Sequence, residues 1–247
     1  MFNKLNIDVC IPTVRGVPSQ IIDEIKKETM GKIHISTTKP LVKARVELIN
    51  KVETDLFLFL DDDIIYPPNL LSNLYSAMRD LNLPNNIGAV QGKTIPYGLG
   101  EKWDKALSDA VKFKGYKVMQ YGERLMTSNM LMYTHLVKDW NPQKDVSGCE
   151  DLDLTMHIQE KHHSCVLLPI YVKHKRSWDN TYNHSLWYVR GYINVLSKNQ
   201  GFKQFLKLGL GIGKYILLLP FKFRLSIYTI HHNFYICIAF IKVLLFE

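Results

Sequence analysis

Three consecutive carboxylates are the residues of this sequence best suited to metal chemistry: Asp61, Asp62 and Asp63. They follow directly on the apolar run Leu56–Leu60, which is typical of a strand in a parallel sheet covered on both faces. Neighbouring like charges repel each other, so the triplet requires a positive group close by, and a divalent cation is the simplest one. The alternative is a solvated turn, which the prolines at 67–68 favour. Because open α/β sheets bind ligands at the carboxyl ends of strands, the pattern favours a ligand site.

Two further groups have residue types that suit catalysis. The segment GCEDLDL places Glu150 and Asp151 at the predicted start of a helix, and His174 ends the apolar strand SCVLLPIYVKH before Lys175 and Arg176. A positioned carboxylate can act as a general base, because an alcohol is a poor nucleophile until its proton is removed. The alternative is that these acids only complement the positive end of a helix. For the histidine and the two cations, a metal or phosphate site and a structural role both stay open.

The elements around these residues alternate between strand and helix. The segments VCIP, KIHIS and LFLFL predict strands, and residues 18–30 and 41–53 between them predict helices. Later strands are predicted in IGAVQGKTI, LMTSNMLMYTHLV and SCVLLPIYVKH, with helices at about 68–80 and from Glu150. Residues 99–124 are mixed and rich in lysine, and a helical insert and a mobile insert over the site both stay open. This order is typical of an α/β fold with a mostly parallel sheet flanked by helices.

Length and composition limit the function classes. A chain of 247 residues with 47% hydrophobic content suits one large domain, or one domain with an appendage. The four cysteines are far apart without CxxC spacing, which argues against a zinc knuckle or a disulfide framework and favours reduced thiols in the cytosol. The first residues, MFNKLNIDVCIP, lack the apolar run of a signal peptide.

The order of the motifs resembles that of the family 2 glycosyltransferases of GT-A fold. The resemblance spans about residues 5–176 and rests on VCIPTVRG, the helix pair Ala44-Arg45, LFLDDD, GCEDLDL and the strand that ends at His174. It implies a metal-dependent enzyme that moves a sugar from a nucleotide-diphosphate donor to an acceptor, with inversion at the anomeric carbon.

The resemblance implies a metal site for Mn²⁺ or Mg²⁺. Asp61 and Asp63 match the DxD pair: Asp63 would bind the metal most directly, and Asp61 would lie nearer the ribose of the donor. Asp62 would support the pair, and His174 would be a third metal ligand or a diphosphate contact. Two basic residues are implied as further diphosphate contacts: Lys175 and Arg176.

The resemblance also implies the base and the nucleotide site. Asp151 would be the general base that takes the proton of the acceptor hydroxyl, and Glu150 would position the acceptor. Thr13 and Arg15 lie in the turn that receives the nucleotide, and Arg45 matches the Ala-Arg helix. The second strand departs from the family pattern, because IHISTTKP offers hydroxyl groups where an acidic residue often reads the base. Uridine, guanosine and thymidine donors therefore all stay open.

The last third of the chain carries the whole charge excess. Residues 1–172 have a balance of −1, residues 173–201 of +4 and residues 202–247 of +5. Lys203, Lys207 and Lys214 form a stripe on an otherwise apolar predicted helix, and the segment 225–246 is a borderline membrane span. The pattern favours an interfacial or re-entrant pair of helices over a true span, and a helical cap on the sheet stays open as the alternative. Since the basic residues alternate with Leu and Ile, the pattern favours an anionic membrane over nucleic acid.

We therefore expect a catalytic domain at residues 1–180 and a helical, membrane-associating segment at residues 181–247. The enzyme would work at the cytoplasmic face of the membrane on a glycan or lipid-linked acceptor. Residues 184–199 lack the QxxRW motif of processive synthases, so polymer synthesis is not expected. Two alternatives remain: a phosphatase of the haloacid-dehalogenase type, which LFLDDDI also resembles, and a non-catalytic membrane adaptor that retains the fold.

Overall fold

A computed structural model of the chain describes residues 4–113, 120–121, 125–142, 146–176 and 181–246. Its strands are β1 (Asp8–Pro12), β2 (Ile33–Ser36), β3 (Leu56–Leu60), β4 (Ile64–Ile65), β5 (Ile87–Tyr97), β6 (Gln120–Tyr121), β7 (Asn129–Tyr133) and β8 (Ser164–Lys175). Its helices are α1 (Ser19–Glu28), α2 (Leu41–Lys51), α3 (Leu70–Asn85), α4 (Glu101–Phe113), α5 (Glu150–Glu160), α6 (Thr181–Val195), α7 (Lys198–Leu217) and α8 (Phe223–Phe246), with a short 3₁₀ turn at Thr134–Leu136.

The strands form one mixed sheet in the order β2, β1, β3, β7, β5, β8 and β4, with β6 beside β8. Strand β1 pairs in parallel with β2 and β3, whereas β7 runs antiparallel to β3 and β5. Strands β4 and β6 run antiparallel to β8. The predicted α/β architecture is confirmed. The reversed direction of β7 was not anticipated, because alternation of side chains along a strand is the same in both directions.

Strand β3 is buried on both of its faces, as its continuous apolar sequence predicts. Leu58 and Leu60 contact a cluster that includes Ile25 of α1 and Leu70 of α3. On the opposite face, Phe59 is fully buried. The strand is thus held rigidly, and the chain first becomes partly exposed at its carboxyl end, where the three aspartates begin.

The chain divides into two compact units. The first consists of Met1–Ile95, Gly115–Gln143 and Asp151–Lys175, and it holds the aspartate triplet. The second consists of Pro96–Lys114, Lys144–Glu150 and Arg176–Glu247. The boundary at residue 180, between segments 1–180 and 181–247, stays a prediction.

The second unit contains helices α4, α6, α7 and α8. Helices α6, α7 and α8 pack around one apolar cluster, whose buried members are Leu186, Val189, Ile236, Ala239, Phe240 and Val243. By length and composition alone, α8 is long and apolar enough to cross a membrane.

Candidate active site

The aspartate triplet is fixed by backbone hydrogen bonds at both of its ends. The amide of Asp61 donates to the carbonyl of Ser128 at 3.0 Å, which continues the pairing of β3 with β7. The carbonyl of Asp63 accepts from the amide of Lys175 at 2.8 Å. Because both neighbouring segments belong to the sheet, the three carboxylates are presented from a rigid turn.

Strand β4 brings a histidine to the triplet. Ile64, directly after Asp63, pairs with His174 of β8. The Nε2 atom of His174 lies 2.8 Å from Oδ1 of Asp63 and 3.9 Å from Oδ2 of Asp61. The structure therefore brings His174 next to two aspartates that lie more than 100 positions earlier in the sequence.

The donor set of this cluster fits a divalent cation. One ligand atom from each of Asp61, Asp63 and His174 lies within 4.8 Å of the other two, and no other such group of His, Cys, Asp and Glu occurs among the described residues. Two carboxylate oxygens and an imidazole nitrogen are ligands that suit Mn²⁺. The Nδ1 atom of His174 is buried with no hydrogen-bond partner in the described part of the chain, whereas Nε2 faces the two carboxylates.

A buried arginine orients Asp61. Arg45 of α2 is only 2% exposed, and its Nη2 donates to Oδ1 of Asp61 at 3.1 Å. Its guanidinium carbon lies 4.9 Å from the ring centroid of Phe59, which supports the charge from the sheet below. Asp61 thus uses one oxygen for Arg45 and turns the other towards His174.

Asp62 is engaged by the loop after β1 and not by the cluster. The hydroxyl of Thr13 donates to Oδ2 of Asp62, and Nη2 of Arg15 donates to Oδ1 at 3.2 Å. Thr13 Oγ1 also accepts from the amides of Arg15 and Gly16, at 3.1 and 3.0 Å. The Arg15 side chain is 63% exposed and also approaches Asp63 Oδ2 at 3.8 Å. Two guanidinium groups, Arg15 and Arg45, therefore supply part of the positive charge that the triplet requires.

The second acidic motif begins helix α5, as the sequence predicts. Asp151 is 8% exposed, and its Oδ1 accepts from the amide of Leu152 at 2.8 Å. Glu150 Oε2 accepts from the amide of Gly148 at 3.0 Å. Asp153 is tied differently, because its Oδ2 accepts from the indole Nε1 of Trp140 at 2.7 Å. This contact gives Asp153 a structural role. The sequence analysis did not anticipate Trp140 as its partner.

A glycine shapes the turn that leads into this helix. Gly148 has a φ of +96°, and a Cβ atom at this position would lie 2.8 Å from the carbonyl oxygen of Trp187. Any other residue would therefore be strained and would also collide with the backbone of α6. The glycine two residues before Glu150 in the predicted motif has this physical reason.

The predicted basic contacts lie at the end of β8. The strand alternates, so that Val172 and His174 are buried while Lys173 and Lys175 are exposed. The side chain of Lys175 is therefore on the opposite side of the strand from His174. Arg176, in the second unit, donates its amide to the carbonyl of Tyr97 at 2.8 Å.

A carboxylate that the sequence analysis missed lies at the end of β2. Glu47 of α2 accepts hydrogen bonds from the hydroxyls of Ser36 and Thr38, and forms an ion pair with Lys51. The hydrogen bond from Lys51, followed by those from Thr38 and Ser36, lowers the pKa of Glu47 to about 2. The end of the second strand has no acidic residue of its own, but its hydroxyl groups bind the carboxylate of Glu47 there. The sequence feature that could have identified this acid is its position, two residues after Arg45 on the same helix.

Lys93 is a second unanticipated group. It is 3% exposed, and burial lowers its pKa. The preceding Gly92 donates its amide to Asn129 Oδ1 at 2.7 Å, and Asn129 pairs with Leu60. Lys93 comes one residue after Gly92 on β5, and Asp61 comes one residue after Leu60 on β3. The two residues therefore lie at the same level of the sheet. A lysine inside the apolar strand IGAVQGKTI was the available signal.

Comparisons with known proteins identify a similar family and similar folds. A model of the family named glycosyl transferase family 2 matches residues 18–133, which include the aspartate triplet but neither Asp151 nor His174. No curated protein sequence gives a significant match.

Two solved structures show the same fold at low sequence identity. A mannosyltransferase from Pyrobaculum calidifontis, in complex with GDP-Man and Mn²⁺, superposes with a TM-score of 0.61 at 10% identity, over 99% of this chain and 88% of the other. Glucosyl-3-phosphoglycerate synthase from Mycobacterium tuberculosis, in complex with Mn²⁺, UDP-glucose and phosphoglyceric acid, gives 0.51 at 14% identity, over 76% of this chain and 78% of the other. The chain thus matches the glycosyl transferase family 2 model over residues 18–133 and has the GT-A fold of these solved structures.

Proposed function

We propose that this glycosyltransferase is metal-dependent and moves a sugar from a nucleotide-diphosphate donor to an acceptor hydroxyl or a lipid-linked acceptor, with inversion at the anomeric carbon. The observation that carries the proposal is the cluster of Asp61, Asp63 and His174 at the carboxyl end of β3. This is the edge of an α/β sheet at which ligands bind. The two similar structures hold Mn²⁺ together with a nucleotide sugar, which supports the same pairing here.

The cluster and its neighbours would hold the donor through its diphosphate. Bound by Asp63, Asp61 and His174, Mn²⁺ or Mg²⁺ would neutralise the charge that develops on the leaving diphosphate. Arg15 is exposed, and an exposed ion pair contributes only about 0–1 kcal/mol. Its guanidinium can therefore exchange Asp62 for a phosphate oxygen. Arg176 is proposed as a further phosphate contact. Lys175 is the weaker candidate, because its side chain leaves β8 on the side opposite His174.

The nucleotide would bind along the first two strands. Thr13 and Arg15 form the turn after β1, and Arg45 fixes Asp61 for contact with the ribose. Glu47 at the end of β2 keeps an ionised carboxylate 36% exposed, and such a group can accept hydrogen bonds from the N–H groups of a base. We assign Glu47 as the acid that reads the nucleobase.

Asp151 would act as the general base, and Glu150 would position the acceptor. Inversion requires one base on the face opposite the leaving group, and the transition state has oxocarbenium character. Asp153 is the weaker choice because Trp140 already occupies its carboxylate. Asp151 lies in the first turn of α5, where the positive end of the helix dipole favours a negative charge.

The transfer would take place at the cytoplasmic face of an anionic membrane. Residues 202–247 carry six basic residues against one acidic residue. Their apolar helix α8 passes the length and composition test for a membrane helix. A basic and apolar surface of this kind attaches to anionic lipid through both its charge and its apolar area.

A donor panel tests the proposal. UDP-glucose, GDP-mannose and a dTDP-sugar are each added to the full-length protein with Mn²⁺ or with EDTA, and the melting temperature is measured. At 100 times its Kd, a donor stabilises a protein by about 2.7 kcal/mol, so a specific donor should raise the melting temperature by several degrees only with the metal. Stabilisation by none of the three, together with hydrolysis of a simple phosphate ester, would favour the phosphatase alternative instead.

A further inference from the structure

Helices α7 and α8 form a hairpin whose turn end is exposed. Gly201 of α7 faces Phe240 of α8, and Gly211 faces Asn233, so the two helices run antiparallel. The turn between them lies at residues 218–222. We call residues 210–224 the hairpin tip.

The base of the hairpin is anchored in the protein. Phe205 and Leu208 of α7 and the buried residues of α8 from Ile236 to Val243 pack with α6. Nearer the tip, Ser226 of α8 is fully buried, so protein still covers the helix there. The 24 residues of α8 extend over about 36 Å, and its buried residues from Ile236 to Val243 pack with α6, which leaves about 20 Å of helix before Ile236. The length that remains is too short to cross a hydrocarbon core of about 30 Å.

The tip itself exposes large apolar side chains. Leu210 and Leu217 are each 78% exposed, and Phe221 in the turn is 83% exposed. Ile216 and Phe223 are more than half exposed as well. Such a contiguous apolar surface on a soluble face is unusual and marks a site of interaction.

The charges at the tip indicate the kind of partner. Lys214, Lys222 and Arg224 are exposed among the apolar side chains. The sequence contains no Asp or Glu between residues 202 and 246. Two copies of this tip would repel each other, whereas an anionic lipid surface offers both opposite charge and a place for the apolar side chains.

We propose that the hairpin tip inserts into the headgroup layer of an anionic bilayer, with Leu217, Phe221 and Phe223 below the phosphates and Lys214, Lys222 and Arg224 at their level. Neither α7 nor α8 spans the membrane. This inference rests on the proposed membrane association but not on the proposed transfer reaction. It predicts which residues hold the protein on the lipid.

The first test measures vesicle binding of the full-length protein by flotation. Wild-type protein should bind vesicles that contain phosphatidylglycerol, and should bind pure phosphatidylcholine vesicles more weakly. The triple variant Leu217→Ser, Phe221→Ser, Phe223→Ser should lower the partition coefficient at least about tenfold. The matched control, Leu245→Ser with Phe246→Ser, changes equally exposed residues at the opposite end of α8 and should bind within about twofold of wild type. Thermal melting verifies that all three proteins are folded.

The second test measures insertion directly. An environment-sensitive fluorophore is attached at Phe221→Cys or at Phe246→Cys, since the four native cysteines are buried. Anionic vesicles should shift the emission of the probe at position 221 to shorter wavelength and leave the probe at position 246 unchanged.

The outcomes separate the inference from the proposals beneath it. Binding of wild type that the triple variant retains, or a blue shift at both positions, would overturn the inference while membrane association stands. Absence of any vesicle binding by wild type would overturn both. Lipid-independent dimerisation that the triple variant abolishes would assign the tip to a second copy of the chain and would contradict the inference.

Discussion

Asp61, Asp62 and Asp63 are neighbours in sequence, yet the fold gives each of them different partners. Asp61 is held by the buried Arg45, and Asp62 by Thr13 and Arg15. Asp63 lies closest to His174, at 2.8 Å. The triplet therefore separates one carboxylate that orients the loop after β1 from two that can share a cation.

Asp151→Asn tests the assignment of the base. The amide keeps the shape of the carboxylate but removes its basicity, so donor binding should stay near normal while the transfer rate falls by about 10²–10⁴-fold. The measurement is kcat for transfer beside the Kd for the donor. Asp153→Asn is the matched control, because its amide oxygen can still accept from Trp140. A normal rate in the first variant and a large loss in the second would move the base to Asp153.

Glu47→Gln tests the assignment of the base-reading acid. The amide oxygen can still accept from Ser36 and Thr38, so the fold should keep its melting temperature. Loss of one charged hydrogen bond should weaken the binding of the nucleoside diphosphate about tenfold. Glu24→Gln, on an exposed helical glutamate that also pairs with a lysine, is the control. Equal affinity in wild type and Glu47→Gln would remove Glu47 from the nucleotide site.

The residue types of the site were predictable, whereas several partners were not. The triplet, Asp151 and His174 stand out because charged or titratable groups at the ends of apolar segments are unusual. Arg45 was singled out, but its contact with Phe59 depends on how α2 lies on the sheet. Glu47 and Lys93 were missed because helical and strand periodicity do not show which elements meet at one edge.

At the scale of elements, one buried aspartate ties the first three strands together. Asp8 Oδ1 accepts from the amide of Lys32 at 2.8 Å, and its Oδ2 accepts from the amide of Glu53 at 2.9 Å and contacts His34 Nε2 at 3.1 Å. Burial would raise the pKa of Asp8, but these hydrogen bonds together lower it below 3.8. The register of β1 between its two parallel partners is therefore fixed at this end.

Asp8→Asn should destabilise the fold in a pH-dependent way. Because the folded pKa of Asp8 lies below the unfolded one, its contribution is fully present above the unfolded pKa and is lost as pH falls through the folded pKa. At neutral pH the variant should lose about 1–3 kcal/mol of unfolding free energy in urea titrations. The difference from wild type should shrink as pH falls below 3.8. If the difference in unfolding free energy between wild type and Asp8→Asn were the same at neutral pH and below pH 3.8, the ionised carboxylate would not be what stabilises the strands.

Most elements follow from sequence periodicity, and the exceptions have physical reasons. The helix from Glu150 begins where the acidic cluster predicts it. The predicted strand LMTSNMLMYTHLV is shorter, because the chain leaves the sheet in a 3₁₀ turn at Thr134–Leu136. Helix α4 was only one of two alternatives for residues 99–124, because lysines surround its helically spaced apolar residues Trp103 and Leu107. The helix that was missed lies at the surface, whereas the shortened strand is buried, and its limits depend on its pairing with β3 and β5.

At the scale of the whole molecule, the basic excess and many of the large exposed apolar side chains occur together in the C-terminal helices. The sheet unit has nearly balanced charge, and the basic excess lies in α6, α7 and α8. Removal of the last helices would expose Leu186 and Val189 of α6, so point variants at the hairpin tip test membrane attachment better than truncation. The sequence alone could predict the membrane-active composition but not which end of the hairpin is exposed.

High salt should not release the full-length protein from anionic vesicles. At about 1 M salt the Debye length falls to about 3 Å, so the contribution of the lysines is screened. Burial of Leu217, Phe221 and Phe223 in lipid does not depend on ionic strength and should keep most of the protein bound. The check is flotation in low and high salt. Complete release at high salt would show that charge alone attaches the protein.

The central claim, a metal-dependent donor site at Asp61, Asp63 and His174, is tested most directly by calorimetric titration of the donor selected from the panel into the full-length protein with Mn²⁺. Wild type and the control Asp55→Ala, at the opposite and exposed end of β3, should bind it with equal affinity. Asp63→Ala should lose metal-dependent binding, leaving only the weak affinity that wild type shows in EDTA. Unchanged Mn²⁺-dependent affinity in Asp63→Ala would contradict the account.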